Sequence, residues 1–532
     1  MLLSPYAWLL PLLCLIGPAY SVNILAIFPH HGLSHFMNVK PYLLELARRG
    51  HNLTVISFFP LKAEERPAGG NYHDVSLDGC MQLYNNNVSF ARFEDKGFAA
   101  SLLSPTQLNL AGLYMMADET LAAIFKAPEL SRFIRSVLTE GHNFDLAIIE
   151  TFQMDVFLGL IHRMGVPFIS VTTCNLFSWS ADRIGQPQNP SYVPTNIDLF
   201  GDHMTLIERI KNTISLLTMS VVHPLFFLAN DQRMAEAQFG PGLPPLAEIA
   251  KNTSLLLANV HFSLNRPRPV VPQMIEVGGL HIAPAKPLPK DLAQFLDAST
   301  QGVIYFCMGS LLRGESFPKE KLQAFLSAFS QLPLNVLWKY EGAELPGKPS
   351  NVKILPWTPQ RDILSHPNIK LFINHGGLLG TTEAVYEGVP LLGIPMFGDQ
   401  PINMKAVELA GAGVILDYAS LSQQTILEGI RTVLKPEYKF NMRLLQAQYR
   451  DRPMSAMDTA IFWTEYVIRH KGAPHLRTAA VHMPWYQTLC LDVALVFITV
   501  LLAVVFCIKL SITLVLRKLC SSNSSTHKNK KD

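Results

Sequence analysis

Short apolar runs separated by longer amphipathic stretches make up most of the chain. In the N-terminal half the runs at 23–28, 51–59, 146–149 and 168–171 read as strands. A helical pattern opens near Phe36 and stops at Arg49 and Gly50, and a helix carrying Phe157 and Ile161 joins the third run to the fourth. The alternation restarts with strands predicted at 303–308, 335–338, 352–355, 369–373, 391–394 and 414–416. Strands of this kind, with helices between them, predict parallel sheets covered on both faces. Two further apolar stretches, 102–125 and 213–228, have a helical period and are suited to walling a pocket. Helices after Pro436 and over 455–470 are placed to pack back across the first domain.

The ends of the chain carry a different pattern. Residues 6–16 are apolar and lead into Gly17, Pro18, Ala19 and Ser21, which reads as a secretory signal cleaved after Ser21 although its start lacks basic side chains. Residues 489–508 are long enough, at about 1.5 Å per residue, to cross about 30 Å of hydrocarbon. Trp485 and Tyr486 stand at one edge and Lys509, Arg517 and Lys518 follow the other, so the bulk of the chain is expected on the lumenal side. Asp492 lies within a turn of the lumenal surface and is expected to snorkel. Lys528 and Lys530 resemble the dilysine retrieval signal of resident endoplasmic reticulum membrane proteins.

Length and composition bound the rest. A chain of 532 residues exceeds one hydrophobic core, and three prolines in 284–289 make a stiff linker that marks a boundary. The expected segments are a signal at 1–21, domains at 22–284 and 285–484, a membrane segment at 485–516 and a cytosolic tail at 517–532. A net charge of +3 gives no footprint for nucleic acid, while 16% charged residues point to membrane lipid. Only Cys80, Cys174 and Cys307 remain lumenal, enough for one disulfide at most and without metal-ligand spacing. Asn52, Asn87 and Asn252 each open a glycosylation triplet.

Chemistry concentrates in residues 357–400. In an open parallel sheet, ligands bind where strands end and helices begin, because the outward-facing amides of a helix N-terminus favour negative charge. After the strand at 369–373 come Asn374, His375, Gly376 and Gly377, then a helix through Glu383. The glycines let the backbone approach a diphosphate, His375 adds a donor, and no Asp-X-Asp pair offers a divalent-ion clamp. Glu383 is placed to accept hydrogen bonds from ribose hydroxyls, though a carboxylate there also suits the helix dipole. Trp357 lies in a turn between Pro356 and Pro359 that favours an exposed indole face, and Asp399 with Gln400 is placed to grip sugar hydroxyls.

Together these residues resemble the signature of the family 1 UDP-glycosyltransferases, which include the UDP-glucuronosyltransferases. The resemblance rests on residues 372–377, Glu383, 388–395 and 398–400, and continues through 34–40, 277–280, 451–453 and 470–473. It implies the GT-B arrangement, an α/β fold of two Rossmann-like domains facing a cleft, followed by the transmembrane helix. It further implies a UDP-sugar donor with Trp357 stacked on uracil and Gln360 near uracil and ribose. Ser310, His375 and Gly377 would lie at the phosphates, Glu383 at ribose, and Asp399 and Gln400 at the sugar.

By the same resemblance, His35 is the catalytic base that takes the proton of a small lipophilic acceptor while its oxygen inverts the anomeric carbon, with neither metal nor cofactor. His35 is expected in the loop after the first strand. The family usually supplies Asp to orient this histidine; here Glu150 ends the corresponding strand, a substitution that looks like the invertebrate branch. Asn374 and Leu379 also depart from vertebrate usage. The invertebrate look favours glucose as the sugar, with glucuronate as the alternative; Arg268, expected at the surface, is the one arginine considered for a uronate carboxylate. A binding protein without transfer is the rival reading, and a nicotinamide enzyme is disfavoured because no Gly-X-Gly-X-X-Gly follows a first strand. Self-association or pairing with a relative is left open.

Overall fold

The computed structural model describes residues 21–83, 89–90, 105–196 and 199–526. The predicted signal segment, the Asn87 triplet, the start of the 102–125 stretch and the terminal lysines lie outside the described residues. Among the described residues, thirteen strands form two all-parallel sheets. The first holds β1 (Asn23–Phe28), β2 (Asn52–Ser57), β3 (Tyr72–Ser76), β4 (Leu146–Glu150), β5 (Phe168–Thr172), β6 (Leu255–Ala258) and β7 (Met274–Glu276), in the order 3-2-1-4-5-6-7. The second holds β8 (Val303–Cys307), β9 (Asn335–Lys339), β10 (Val352–Leu355), β11 (Ile369–Asn374), β12 (Leu391–Gly393) and β13 (Gly413–Ile415), in the order 10-9-8-11-12-13.

Both faces of each sheet are buried, as parallel pairing requires. Leu25 and Ile27 point into one core and Ile24, Ala26 and Phe28 into the other. In the second sheet Ile304 and Phe306 face away from Val303, Tyr305 and Cys307 in the same way. Strand order reverses direction between β1 and β4, and again between β8 and β11. These are the switch points where loops diverge and leave a crevice.

The helices that matter for the site are α1 (Leu33–Arg48), α2 (Leu158–Met164), α3 (Leu206–Val222), α4 (Ala229–Phe239), α5 (Leu378–Glu387), α6 (Gln400–Leu409), α7 (Pro436–Arg450) and α8 (Ala456–Arg469). As expected, α8 returns to the first sheet: Ala460, Ile461 and Val467 join the core of Ile24, and the hydroxyls of Thr464 and Tyr42 are 2.6 Å apart. Another crossing was not foreseen. Phe90, from the N-terminal half, stacks on Phe317 in the second sheet's core with ring centroids 3.8 Å apart.

The predicted strands are all present, but the sequence reading missed β3, β6 and β7. The first is an edge strand carrying His73 and Asp74, and the last is three residues long, so neither shows the apolar run or alternation that marks a strand. The stretch at 213–228 starts earlier than expected, at Leu206, where Thr205 caps the helix and Glu208 closes a capping box. The described residues from Thr478 onward form a separate compact unit. Its helix α9 (Leu491–Thr526) contains a span at Leu491–Cys520, long and apolar enough to cross a membrane, whose most apolar 18 residues have mean hydropathy 2.9.

Candidate active site

The first sheet positions a histidine just after β1 and a carboxylate at the end of the neighbouring β4. His35 sits in the first turn of α1, its amide bonded to the Gly32 carbonyl at 3.1 Å, so the expected loop position is corrected to a helical one. The helix starts this early because Gly32 passes against the His30 ring, where a Cβ would lie 2.9 Å from two ring atoms. Glu150 is the last residue of β4 and is fully buried. Its Oε1 lies 2.6 Å from His35 Nδ1.

Thr173, one residue beyond β5, donates its hydroxyl to Glu150 Oε1 and lies 2.7 Å from the same His35 nitrogen. A carboxylate only accepts, so Nδ1 carries the proton and Nε2 is the ring's basic nitrogen. His30 stacks on His35 at 3.8 Å between centroids, and Phe152 stands 4.9 Å away, which fixes the plane of the ring. Burial, with the positive charge of His35 nearby, lowers His31 to about 4 and holds His30 well below the ordinary histidine range. Both neighbours therefore stay neutral.

The second sheet contributes a cradle of glycines around His375. The chain leaves β11 at Asn374, whose side-chain oxygen accepts from the Gly376 amide at 3.2 Å, and α5 begins after Gly377. A Cβ on Gly309 would lie 2.5 Å from the His375 ring, and one on Gly377 would lie 2.6 Å from it. The imidazole thus fills the space that side chains at both positions would need. Burial and the nearby Lys339 lower His375 to about 4, so it is neutral, and its Nδ1 is buried without a partner among the described residues. Ser310 lies in the same turn, after β8 and beside Gly309.

Trp357 follows β10 with 56% of its surface exposed, whereas Trp338 fills the core. Gln360 donates to Glu383 Oε2 at 2.7 Å, which ties the turn after Trp357 to the first turns of α5. Burial raises Glu383 to about 7, partly offset by that bond and by Arg361. His281, after Gly278 and Gly279, places Nε2 3.8 Å from the other Glu383 oxygen, and burial lowers it to about 4.

Asp399 stands at the start of α6 without capping it, and burial raises its carboxyl against the pull of Asn403 and His35. The Gln400 oxygen is already committed, accepting the amides of Met396 at 2.9 Å and Phe397 at 3.1 Å, so only its NH₂ is available to a ligand. A chain of amides joins the two halves beside these residues. Asn265 donates to Asn175 at 2.7 Å, Asn175 to Asn403 at 2.6 Å, and Asn403 to the Gly376 carbonyl at 3.0 Å.

The structure therefore brings His35 together with Glu150, and gathers Ser310, Gln360, His375, Gly377 and Glu383 near the second switch point, with Asp399 at the start of α6. Thr173, Asn175, His281 and Asn403 were missed, because single polar residues after strands or in a helix carry no motif. Arg268 is corrected from surface to half-buried: it lines a shallow groove with Phe177, Trp179, Leu216 and Met219. Asn52 and Asn252 are exposed, the first bonded through its amide to Asn23. Among the described residues no three His, Cys, Asp or Glu side chains converge as a metal site.

Two parallel sheets that bring their switch points to one cleft, a buffered histidine on one side and a glycine-lined cradle on the other, define a GT-B nucleotide-sugar transferase. A family model described as UDP-glucoronosyl and UDP-glucosyl transferase matches residues 23–526. The chain is 45% identical to UDP-glycosyltransferase UGT5 of Dactylopius coccus over 98% of both chains. It is 38% identical to UDP-glucosyltransferase 2 of the same organism over 93% of each, and 31% identical to UDP-glucuronosyltransferase 2B1 of Rattus norvegicus over 94% of each. The fold is shared with the glycosyltransferase of kitacinnamycin (TM-score 0.57, 16% identity, 84% of this chain and 99% of that one). It is shared also with the calicheamicin glycosyltransferase CalG4 (TM-score 0.54, 19% identity, the same coverage). The chain belongs to the UDP-glucuronosyl and UDP-glucosyl transferase family and is a UDP-glycosyltransferase.

Proposed function

We propose that the protein transfers glucose from UDP-glucose, with inversion, to a hydroxyl of a small lipophilic acceptor. The observation that carries this reading is the 2.6 Å contact between His35 and buried Glu150. His35 Nε2 takes the acceptor proton as the oxygen attacks the anomeric carbon. The bond from that carbon to the UDP oxygen breaks, and its electron pair leaves with UDP. Glu150 positions the imidazole and stabilises the imidazolium that forms.

The donor is held without a metal. Trp357 stacks on uracil, Gln360 lies near uracil and ribose, and Glu383 accepts from ribose hydroxyls. The diphosphate lies against Ser310, neutral His375, the amide of Gly377 and the N-terminus of α5. Asp399 and the Gln400 NH₂ hold the sugar. Glucose is favoured over glucuronate because the relative named a glucosyltransferase is 38% identical and the one named a glucuronosyltransferase 31%.

The apolar helix α9 anchors the chain in the endoplasmic reticulum membrane, with domains 22–284 and 285–484 lumenal and Asn52, Asn87 and Asn252 offered for glycosylation. The functional test is His35→Ala with UDP-glucose and a phenol: UDP binding is expected to survive and glycoside formation to fall at least about 10²-fold. Normal turnover refutes the role of His35. A screen of UDP-glucose, UDP-glucuronate, UDP-galactose and UDP-N-acetylglucosamine decides the sugar. Protease treatment of sealed microsomes should trim only residues after Leu516, and loss of the two domains would overturn the orientation.

A further inference from the structure

Three asparagines between the two sheets form a hydrogen-bonded series with a fixed direction. Its last acceptor is the Gly376 carbonyl, which takes the Asn403 NH₂ at 3.0 Å. A carbonyl only accepts, so Asn403 must turn its NH₂ toward Gly376 and its oxygen toward Asn175. Asn175 in turn donates its NH₂ to Asn403 at 2.6 Å and accepts from Asn265 at 2.7 Å. Asn403 is 1% exposed and Asn175 5%, so neither can replace a lost partner with bulk water. Asn403 lies in the first turn of α6, beside the second sheet, whereas Asn175 and Asn265 lie after β5 and β6 of the first.

The series ends on a peptide of the glycine cradle. In a trans peptide the carbonyl and the next N–H point in opposite directions, so holding the Gly376 carbonyl against Asn403 aims the Gly377 N–H away from α6. That N–H donates to no protein acceptor among the described residues. Gly376 is held on its other side as well. Its N–H donates to Asn374 at 3.2 Å, and a Cβ would lie 2.6 Å from Met404 and 2.8 Å from the Gln400 carbonyl. A glycine at φ of +82° can turn its peptide plane at little cost. Asn403 removes that freedom, and Asn175 removes the alternative in which Asn403 flips its amide.

We propose that Asn403 and Asn175 are positioning residues for the donor diphosphate. Through the Gly376 carbonyl they fix the direction of the Gly377 amide, so that a side chain of the first domain sets how tightly the second holds UDP. This rests on placing the diphosphate at His375 and Gly377. An amide already aimed at the phosphate needs no ordering when the ligand arrives. Thr173, two residues before Asn175, bonds Glu150 beside His35, so one short loop serves both the base and the diphosphate. The same asparagines also face the sugar side: the Asn403 side chain and the Asn175 amide bond Asp399, partly offsetting the rise that burial imposes on its carboxyl. The peptide is the stronger claimant. The Gly376 carbonyl has no other donor among the described residues, whereas Asp399 also receives backbone amides.

The test measures binding of UDP, uridine and UDP-glucose by calorimetry to the full chain in detergent micelles, for Asn403→Ala, Asn175→Ala and the double variant. UDP affinity is expected to fall about tenfold in Asn403→Ala and about fivefold in Asn175→Ala, while uridine, which has no phosphate, moves less than about twofold. Asn175→Ala leaves α6 and the cradle untouched, so it carries the test even where Asn403→Ala fails to fold. The double variant should bind UDP within about twofold of Asn403→Ala alone, because both residues act through one carbonyl. Losses that multiply across the two positions would overturn the proposal, as would equal losses for uridine and UDP. A loss for UDP-glucose with UDP unchanged would assign the asparagines to Asp399 and the sugar, and would overturn it too. Gly309→Ala, which crowds the His375 ring, is the control. If it weakens UDP and the asparagine variants do not, the diphosphate seat stands and the positioning role fails. If none of the variants weakens UDP, the seat is misplaced and the positioning role falls with it.

Discussion

Glu150→Gln is the sharpest test of the catalytic geometry, because it removes a charge and keeps the shape. Glu150 is fully buried, and its one partnered oxygen is shared by His35 and Thr173. When His35 takes a proton, the two charge centres stand about 4 Å apart, worth about 4 kcal/mol at an effective dielectric of about 20. Loss of that attraction lowers kcat by about 10³, and the Gln amide can also donate to Nδ1 and favour the wrong tautomer. KM for the UDP-sugar should stay within about threefold, since no donor contact is touched.

The assay that separates chemistry from misfolding compares two acceptors. With an ordinary phenol the full loss is expected. With a nitrophenol that is ionised at the assay pH, the acceptor arrives without its proton, and the loss should shrink to about tenfold or less. Equal losses on both acceptors would mean that Glu150 acts on the fold rather than on proton transfer. Unchanged kcat on the ordinary phenol would remove the pair from the mechanism.

Three further outcomes are expected. Trp357→Ala should raise KM for UDP-glucose about tenfold, within the range of base stacking on an aromatic ring, with kcat nearly unchanged and Phe restoring most of the loss; an unaltered KM refutes the stacking. Glu383, raised to about 7 by burial, is largely protonated at pH 6 and ionised at pH 8, and only the ionised form accepts from both ribose hydroxyls. UDP-glucose affinity, measured by calorimetry, should therefore climb up to about tenfold from pH 6 to pH 8, and Glu383→Gln should flatten the rise; a flat wild-type profile removes the carboxylate from the ribose. Gly309→Ala should raise donor KM about tenfold, because the new Cβ lies 2.5 Å from the His375 ring and φ of +83° strains any side chain by about 1 to 2 kcal/mol; wild-type kinetics would show that His375 does not need its place.

Sequence reached the architecture where periodicity was strong and faltered where stability comes from neighbours. The strands at β1, β4, β8 and β11 are continuous apolar runs, and they border both switch points, so the place of the site was legible before its geometry. His35, Glu150, His375 and Glu383 were singled out because a motif or a strand end marks each of them. Thr173, Asn175 and Asn403 were not. Each is a short polar side chain whose role exists only once two strands or two domains meet: Thr173 completes a hydrogen-bonded pair, and Asn175 bonds Asn403 across 228 residues of sequence. The same limit explains Arg268, which a proline-rich turn places at the surface and tertiary packing places in the groove. It also explains α3. Its apolar pattern read as a pocket wall, and one face is that wall, but a helical wheel cannot tell which of two apolar faces meets protein. Asn212 decides this, because a buried amide must find partners, and it finds them on the body side.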